Sequence, residues 1–182
     1  MTARCVVVMV SAILLASGPS AGQDKKDDKE KLHPYSTTKV GDFAIYKAAG
    51  EIEGKGWEST RKETVTAKDE KSVKLKVINL STGKESEKTI DLTEPYEYPT
   101  LRFFKAGGTF KKTGEGTEKI KVAGKEYDAN WIAGTVTTKV MGKEATSAEM
   151  KVWFSKDAPL DGFLRMKMAK SSEELIEFGA VK

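Results

Sequence analysis

The sequence predicts an all-β antiparallel domain of about nine or ten strands, a curved half-open barrel with a β-sandwich as the alternative. Three observations carry this. Short runs rich in Val, Ile, Thr and aromatic residues recur along the chain, and turn residues separate them every 8–15 positions. Several runs alternate strictly, as in Val73, Leu75 and Val77 against Lys74 and Lys76. Nowhere do helical and strand patterns alternate in the manner of a parallel sheet.

The strands follow in order from Val40. Val40 to Lys47 is apolar and aromatic, and Gly50, Gly54 and Gly56 punctuate the turn beyond it. Trp57 to Ala67 carries Thr60, Thr64, Val65 and Thr66, which suit a pleated surface. Lys71 to Leu80 turns through Ser81-Thr82-Gly83-Lys84 into Glu85 to Leu92. Pro95, Tyr96, Tyr98 and Pro99 then interrupt the ladder, because proline donates no backbone hydrogen bond. Leu101 to Lys105 is compatible with a short helix or a strand. Thr109 to Thr113 and Thr117 to Val122 read as two short strands flanking a Gly114-Glu115-Gly116 turn.

Ala123-Gly124-Lys125 is a hairpin turn into the long run Glu126 to Val140. There Tyr127, Ala129, Trp131 and Ala133 share one parity, whereas Val136 and Val140 take the other. A bulge or bend near Gly134 is therefore expected. Met141-Gly142-Lys143 turns into Glu144 to Ser155, where Val152, Trp153 and Phe154 are apolar on both faces. That part of the sheet needs cover on each side. Phe163 to Ala169 follows the loop Lys156 to Gly162. Glu173 to Val181 closes the chain as a strand, with Ser171-Ser172-Glu173-Glu174 as an alternative helix start.

The N-terminus gives an address. Arg4, the uncharged run Cys5 to Leu15 and the small residues Ser20-Ala21-Gly22 form a signal peptide over 1–22, cleaved after Gly22. The run is too short for a membrane span, which takes about 20 residues, so no transmembrane segment is expected after cleavage. The mature protein is expected in the periplasm or outside the cell. Residues 23–39, with Asp24 to Lys31 alternating in charge, read as a flexible tether to the β domain, 40–182.

Composition narrows the chemistry. Of 182 residues, 31 are Lys or Arg and 27 Asp or Glu, with one His and one Cys. Cys5 leaves with the signal and His33 precedes the first strand, so the folded part offers neither thiol nor imidazole for a triad or a zinc site. Asp157 and Asp161 lie four apart in one loop, but calcium takes six to eight oxygens and no dense acidic loop surrounds them. Gly83-Lys84 lacks the rest of a phosphate-binding loop. Asn79-Leu80-Ser81 is a glycosylation sequon, relevant only in a host with that machinery. The lysines alternate with apolar residues and form no continuous stripe, which reads as solvated strand faces and speaks against nucleic acid. The expectation is a non-enzymatic protein without cofactor or metal.

Aromatic residues supply the remaining candidate site. Trp57, Trp131 and Trp153 could line a concavity for an apolar ligand, against the alternative of an ordinary filled core.

One segment resembles a known family. Lys151-Val152-Trp153-Phe154-Ser155-Lys156-Asp157-Ala158-Pro159-Leu160, followed by Gly162-Phe163-Leu164-Arg165-Met166, is similar to exported β-domains of the lipoprotein-carrier (LolA/LolB-like) type. The hairpin from Val122 to Ala129 is similar to theirs, and the opening Val40-Gly41-Asp42-Phe43 with Tyr46 resembles uncharacterised secreted proteins of environmental bacteria. The resemblance implies a curved, incompletely closed barrel with an apolar concave face, sometimes covered by a helix. Its implied partners are an apolar small molecule or lipid, or an envelope protein. The alternative functions are a structural or protein-interaction domain with a filled core and, further off, a secreted hydrolase, which needs two carboxylates across a pocket.

Overall fold

The computed structural model describes residues 33–94, 96, 109–140 and 143–181. The expected signal, the charged run to Lys31 and the undecided Leu101 to Lys105 segment lie outside them. Among the described residues nine strands form one antiparallel sheet: β1 (Asp42–Ile52), β2 (Lys55–Lys68), β3 (Ser72–Asn79), β4 (Glu85–Asp91), β5 (Thr109–Val122), β6 (Lys125–Val140), β7 (Lys143–Phe154), β8 (Phe163–Met168) and β9 (Ser171–Ala180). Their order is β4-β3-β2-β1-β9-β8-β7-β6-β5. β4 and β5 do not pair, so the sheet is curved and half open, as expected, and not a sandwich.

Hairpins explain most of this order. The turns at Glu53-Gly54 and Ala123-Gly124 both put two successive residues at positive φ, the conformation that matches strand twist in a two-residue hairpin. β9 then returns to pair with β1, Tyr46 opposite Leu175, and so joins the two meanders into one sheet. Both open edges are rich in Lys and Glu, which discourages further strand addition.

Two local expectations need correction, and one open alternative is decided. Gly114-Glu115-Gly116 is not a turn: β5 runs unbroken from Thr109 to Val122 and so replaces the two short strands. The glycines serve packing, because the Trp131 indole occupies the space a side chain at Gly116 would need. Second, the parity change in β6 is real, with Tyr127 and Ala129 buried on one phase and Val136 on the other. The extra residue lies on the partner strand, however. Lys112 pairs with Gly134 and Gly114 with Ala133, leaving Thr113 over, while Gly134 makes room for the Phe110 ring. Third, the closing strand is borne out as β9 from Ser171 to Ala180, and the alternative helix start at Ser171 is not formed.

The segment before β1 also differs from the tether reading. Within 33–39, Pro34–Thr37 forms a 3-10 turn and Tyr35 is buried at 1% exposure. Lys68 Nζ donates to the Ser36 and Thr38 carbonyls at 2.5 and 2.7 Å, tying this turn to the end of β2. The charged residues before it mask Tyr35 as an anchor in the sequence.

The core follows the strand alternation. Val73 and Leu75 are fully buried, and Val152, Trp153 and Phe154 are all buried, so β7 is covered on both faces. Each such side chain contributes roughly 1.5–3 kcal/mol on burial. At the end of β7 the loop 155–162 folds on itself. Ser155 N–H donates to the Gly162 carbonyl at 2.9 Å, and a Cβ at Gly162 would stand 2.7 Å from the Ser155 oxygen. Buried Asp161 accepts from the Phe163 N–H at 3.2 Å and from the Tyr96 hydroxyl at 3.1 Å.

Candidate functional site

The register decides where the three tryptophans go. Trp57 stands opposite Gly50, which pairs with Ser171, Met168 and then Met150 across the sheet. Trp153 stands opposite Trp131 on one side and Arg165 on the other, with Glu174 next and Lys47 beyond. Gly50 and Lys47 have opposite parity on β1. Trp57 therefore shares the face of Tyr46, while Trp131 and Trp153 share the other. The structure brings two of the three predicted residues together and leaves the third apart.

Trp131 and Trp153 build a filled cluster. Lys151 Nζ lies 4.3 Å from the Trp131 ring centroid and 4.6 Å from that of Trp153, a cation held between two aromatic rings. Trp153 Nε1 and Lys151 Nζ both donate to Glu118 of β5, the latter at 3.0 Å. These donors hold the Glu118 carboxyl below its ordinary pKa, the indole first, because a hydrogen bond to the charged form favours it. Arg165 reaches from β8 to the Lys121 carbonyl of β5 at 3.3 Å, which a flat sheet with two strands between them would not allow. This face is thus concave between β5 and β8, and its own side chains occupy it.

One open cleft lies on the Tyr46 face. A cleft of about 210 Å³ runs across β1 to β4, lined by Tyr46, Ala48, Ser59, Arg61, Val77, Asn79, Lys84 and Ser86. The strand register assembles it: Tyr46 stands opposite Arg61, Arg61 opposite Asn79, Ala48 opposite Ser59, and Val77 opposite Ser86. Arg61 closes its floor. The guanidinium lies 4.7 Å from the Tyr46 ring centroid, its Nε donates to Glu63 at 2.9 Å, and its Nη1 donates to Glu173 of β9. Both carboxylates are buried, at 4% and 3% exposure. Tyr46 packs edge-on against Phe163, ring centroids 5.6 Å apart.

At the rim, the Asn79 side chain organises the β3–β4 turn. Its Oδ1 accepts from the Ser81 and Thr82 N–H groups, both at 3.0 Å, and its Nδ2 donates to the Ser59 hydroxyl at 3.1 Å. The sequon asparagine is therefore engaged in structure.

Tyr46, Val77, Asn79 and Lys84 drew notice in the sequence for other reasons, and Ala48, Ser59, Arg61 and Ser86 drew none. One signal could have found them. Arg61, Glu63 and Val65 share the buried parity of β2, and a charged pair on that parity marks either an ion pair or a site.

Among the described residues no group of three or more His, Cys, Asp or Glu could hold a metal ion. The Asp157–Asp161 loop gathers none, Asp161 being turned toward Tyr96 and Phe163. No helix among them is long and apolar enough to cross a membrane.

No known family and no curated protein matches the sequence. Among solved structures, the chain is similar to a Bacteroides fragilis protein described as exported, with a YmcC-like fold. The TM-score is 0.51 at 8% identity, over 78% of this chain and 97% of that one. It is also similar to a Parabacteroides distasonis protein described as a lipoprotein, with TM-score 0.46, 12% identity and coverage of 78% and 96%. A third likeness is to MucB in complex with MucA(peri), with TM-score 0.37, 11% identity and coverage of 78% and 50%. At 8% identity the first likeness is one of fold: a half-open, all-β sheet.

Proposed function

We propose that the chain is an exported, non-enzymatic β-domain that binds an apolar ligand or an envelope component in the cleft of its Tyr46 face. The observation that carries this reading is the cleft itself, walled by Tyr46, Ala48 and Val77, while Lys151 and Glu118 occupy the space between Trp131 and Trp153. Export rests on the charge, length and small-residue pattern of residues 1–22. The fold's likeness to a protein described as exported is consistent with it. The non-enzymatic part rests on the sequence, whose single His and single Cys are too few for a triad or a zinc site.

Native mass spectrometry of the mildly purified mature protein, with an apolar dye titration beside it, tests the binding. A co-purifying apolar molecule or a gain in dye fluorescence supports it; neither would count strongly against it. N-terminal sequencing of the secreted chain tests export, with Gln23 expected as its first residue.

A second reading draws on the other face. The cluster of Trp131, Lys151, Trp153 and Glu118 is dense and satisfied, as in a protein-interaction domain with a filled core. A ligand-free protein that captures a defined envelope protein would favour it.

A further inference from the structure

We infer that the cleft takes a small amphipathic anion, one carboxylate or phosphate on a compact apolar body, with Lys84 as its counter-ion. The inference rests on the reading of the cleft as the binding site and goes further by naming the ligand's chemistry. Size is the first argument. The cleft's volume is about 210 Å³. It falls below the roughly 300–1,000 Å³ that takes a drug-sized molecule. It would enclose only a small part of a two-chain lipid.

Charge is the second. The cleft holds two cations, and Arg61 is committed to Glu63 and Glu173 beneath it. Lys84 is different. The turn holds it through its backbone, its carbonyl accepting from the Asn79 N–H at 2.9 Å. Its ammonium makes no ion pair among the described residues, whereas Lys76 and Lys47, on the opposite face, pair with Glu85 at 2.7 Å and Glu58 at 3.0 Å. An uncompensated cation on the rim of a partly apolar cleft favours an anion there.

Hydroxyls beside it are the third. Ser59 accepts from Asn79 Nδ2 and keeps its own O–H to donate, and Ser86 lines the same wall. The anion therefore sits at the β4 end near Lys84. The apolar body runs toward Ala48, Tyr46 and Val77.

Octanoate, octyl phosphate and octanol titrated into the mature protein test this, read through the backbone amide NMR signals of Ser59, Asn79, Lys84 and Ser86. Both anions should shift these signals and bind about five- to tenfold more tightly than octanol, and the tighter of the two identifies the headgroup. Lys84→Met should erase that preference and leave octanol binding unchanged. Lys62→Met, on the opposite face over the Phe43 ring, should change nothing. Equal binding of octanol and the anions would overturn the anion assignment and leave the apolar cleft standing. Binding of a short two-chain lipid with no response to any single-chain probe would overturn the size argument. No binding by any probe would remove the proposed function as well.

Discussion

The Trp131 indole lies against the backbone of Gly116: a Cβ built on that glycine would stand 2.8 Å from the ring. The two residues face each other across β5 and β6. The pair lets the Gly114-Glu115-Gly116 stretch run as strand, because only glycine at 116 lets the ring settle there and reach Lys151. Gly116→Ala should therefore destabilise the fold by about 1–3 kcal/mol, the usual range for overpacking. Gly56→Ala is the matched control, since nothing lies within 4 Å of its added methyl; it should stay within about 0.5 kcal/mol of the parent. Urea unfolding followed by tryptophan fluorescence measures both. Equal effects would sink the packing account.

The same pair shows what was legible. Strand alternation at Val73, Leu75 and Val77 reports a local property, period two, and the sequence carries it openly. So does the reversal of parity in β6. Gly114 and Gly116 fail for the opposite reason: their role depends on a ring 15 residues away in sequence from Gly116, which no local pattern encodes. The cleft is hidden similarly, since Arg61, Asn79 and Lys84 come together only through the register of three strands. Tyr35 is obscured by its neighbours, a charged run and His33-Pro34 that read as solvent-exposed chain.

Arg61 stands between two buried carboxylates, and removing it is the sharpest stability test of the cleft floor. Arg61→Met keeps an apolar stem over Tyr46 and leaves Glu63 and Glu173 without their guanidinium. Stripping one partner from a buried ionic group costs about 3–5 kcal/mol. The triple replacement Arg61→Met, Glu63→Gln and Glu173→Gln should recover much of that loss. Thermal unfolding of the two variants decides it. A single variant as stable as the parent would mean that the triad is solvated in solution.

Glu118 links a protonation state to Trp153. Its carboxyl is held below the ordinary value by donors that exist only in the folded chain. The stability so contributed is present above the unfolded pKa of about 4.3, and it is lost as pH falls through the lower folded value. Trp153→Phe removes the first donor, so the Glu118 pKa should rise toward normal and the acid limb of the stability curve should flatten. Carboxyl NMR titration of parent and variant reads this directly. An unmoved Glu118 would show that Lys151 alone sets it.

His33 gives the opposite end of the pH range. Its ring packs against Tyr35 and Tyr96, centroids 5.8 and 5.0 Å away, and its Nδ1 accepts from the Tyr35 N–H at 3.3 Å. Burial lowers its pKa, with Asp91 offsetting part of the shift. The folded protein thus prefers the neutral ring, and the unfolded chain binds the proton more readily. The stability this provides is complete above the unfolded pKa of about 6.5, and it is lost as pH falls through the lower folded value. Protonation also removes the Nδ1 acceptor, so the 3-10 turn should loosen in the same window. As the only histidine, His33 gives a single imidazole signal to follow by NMR. A midpoint below 6.5, moving together with the Tyr35 amide, is the expected result. A midpoint at or above 6.5 would place the ring in solvent and detach the turn from the domain.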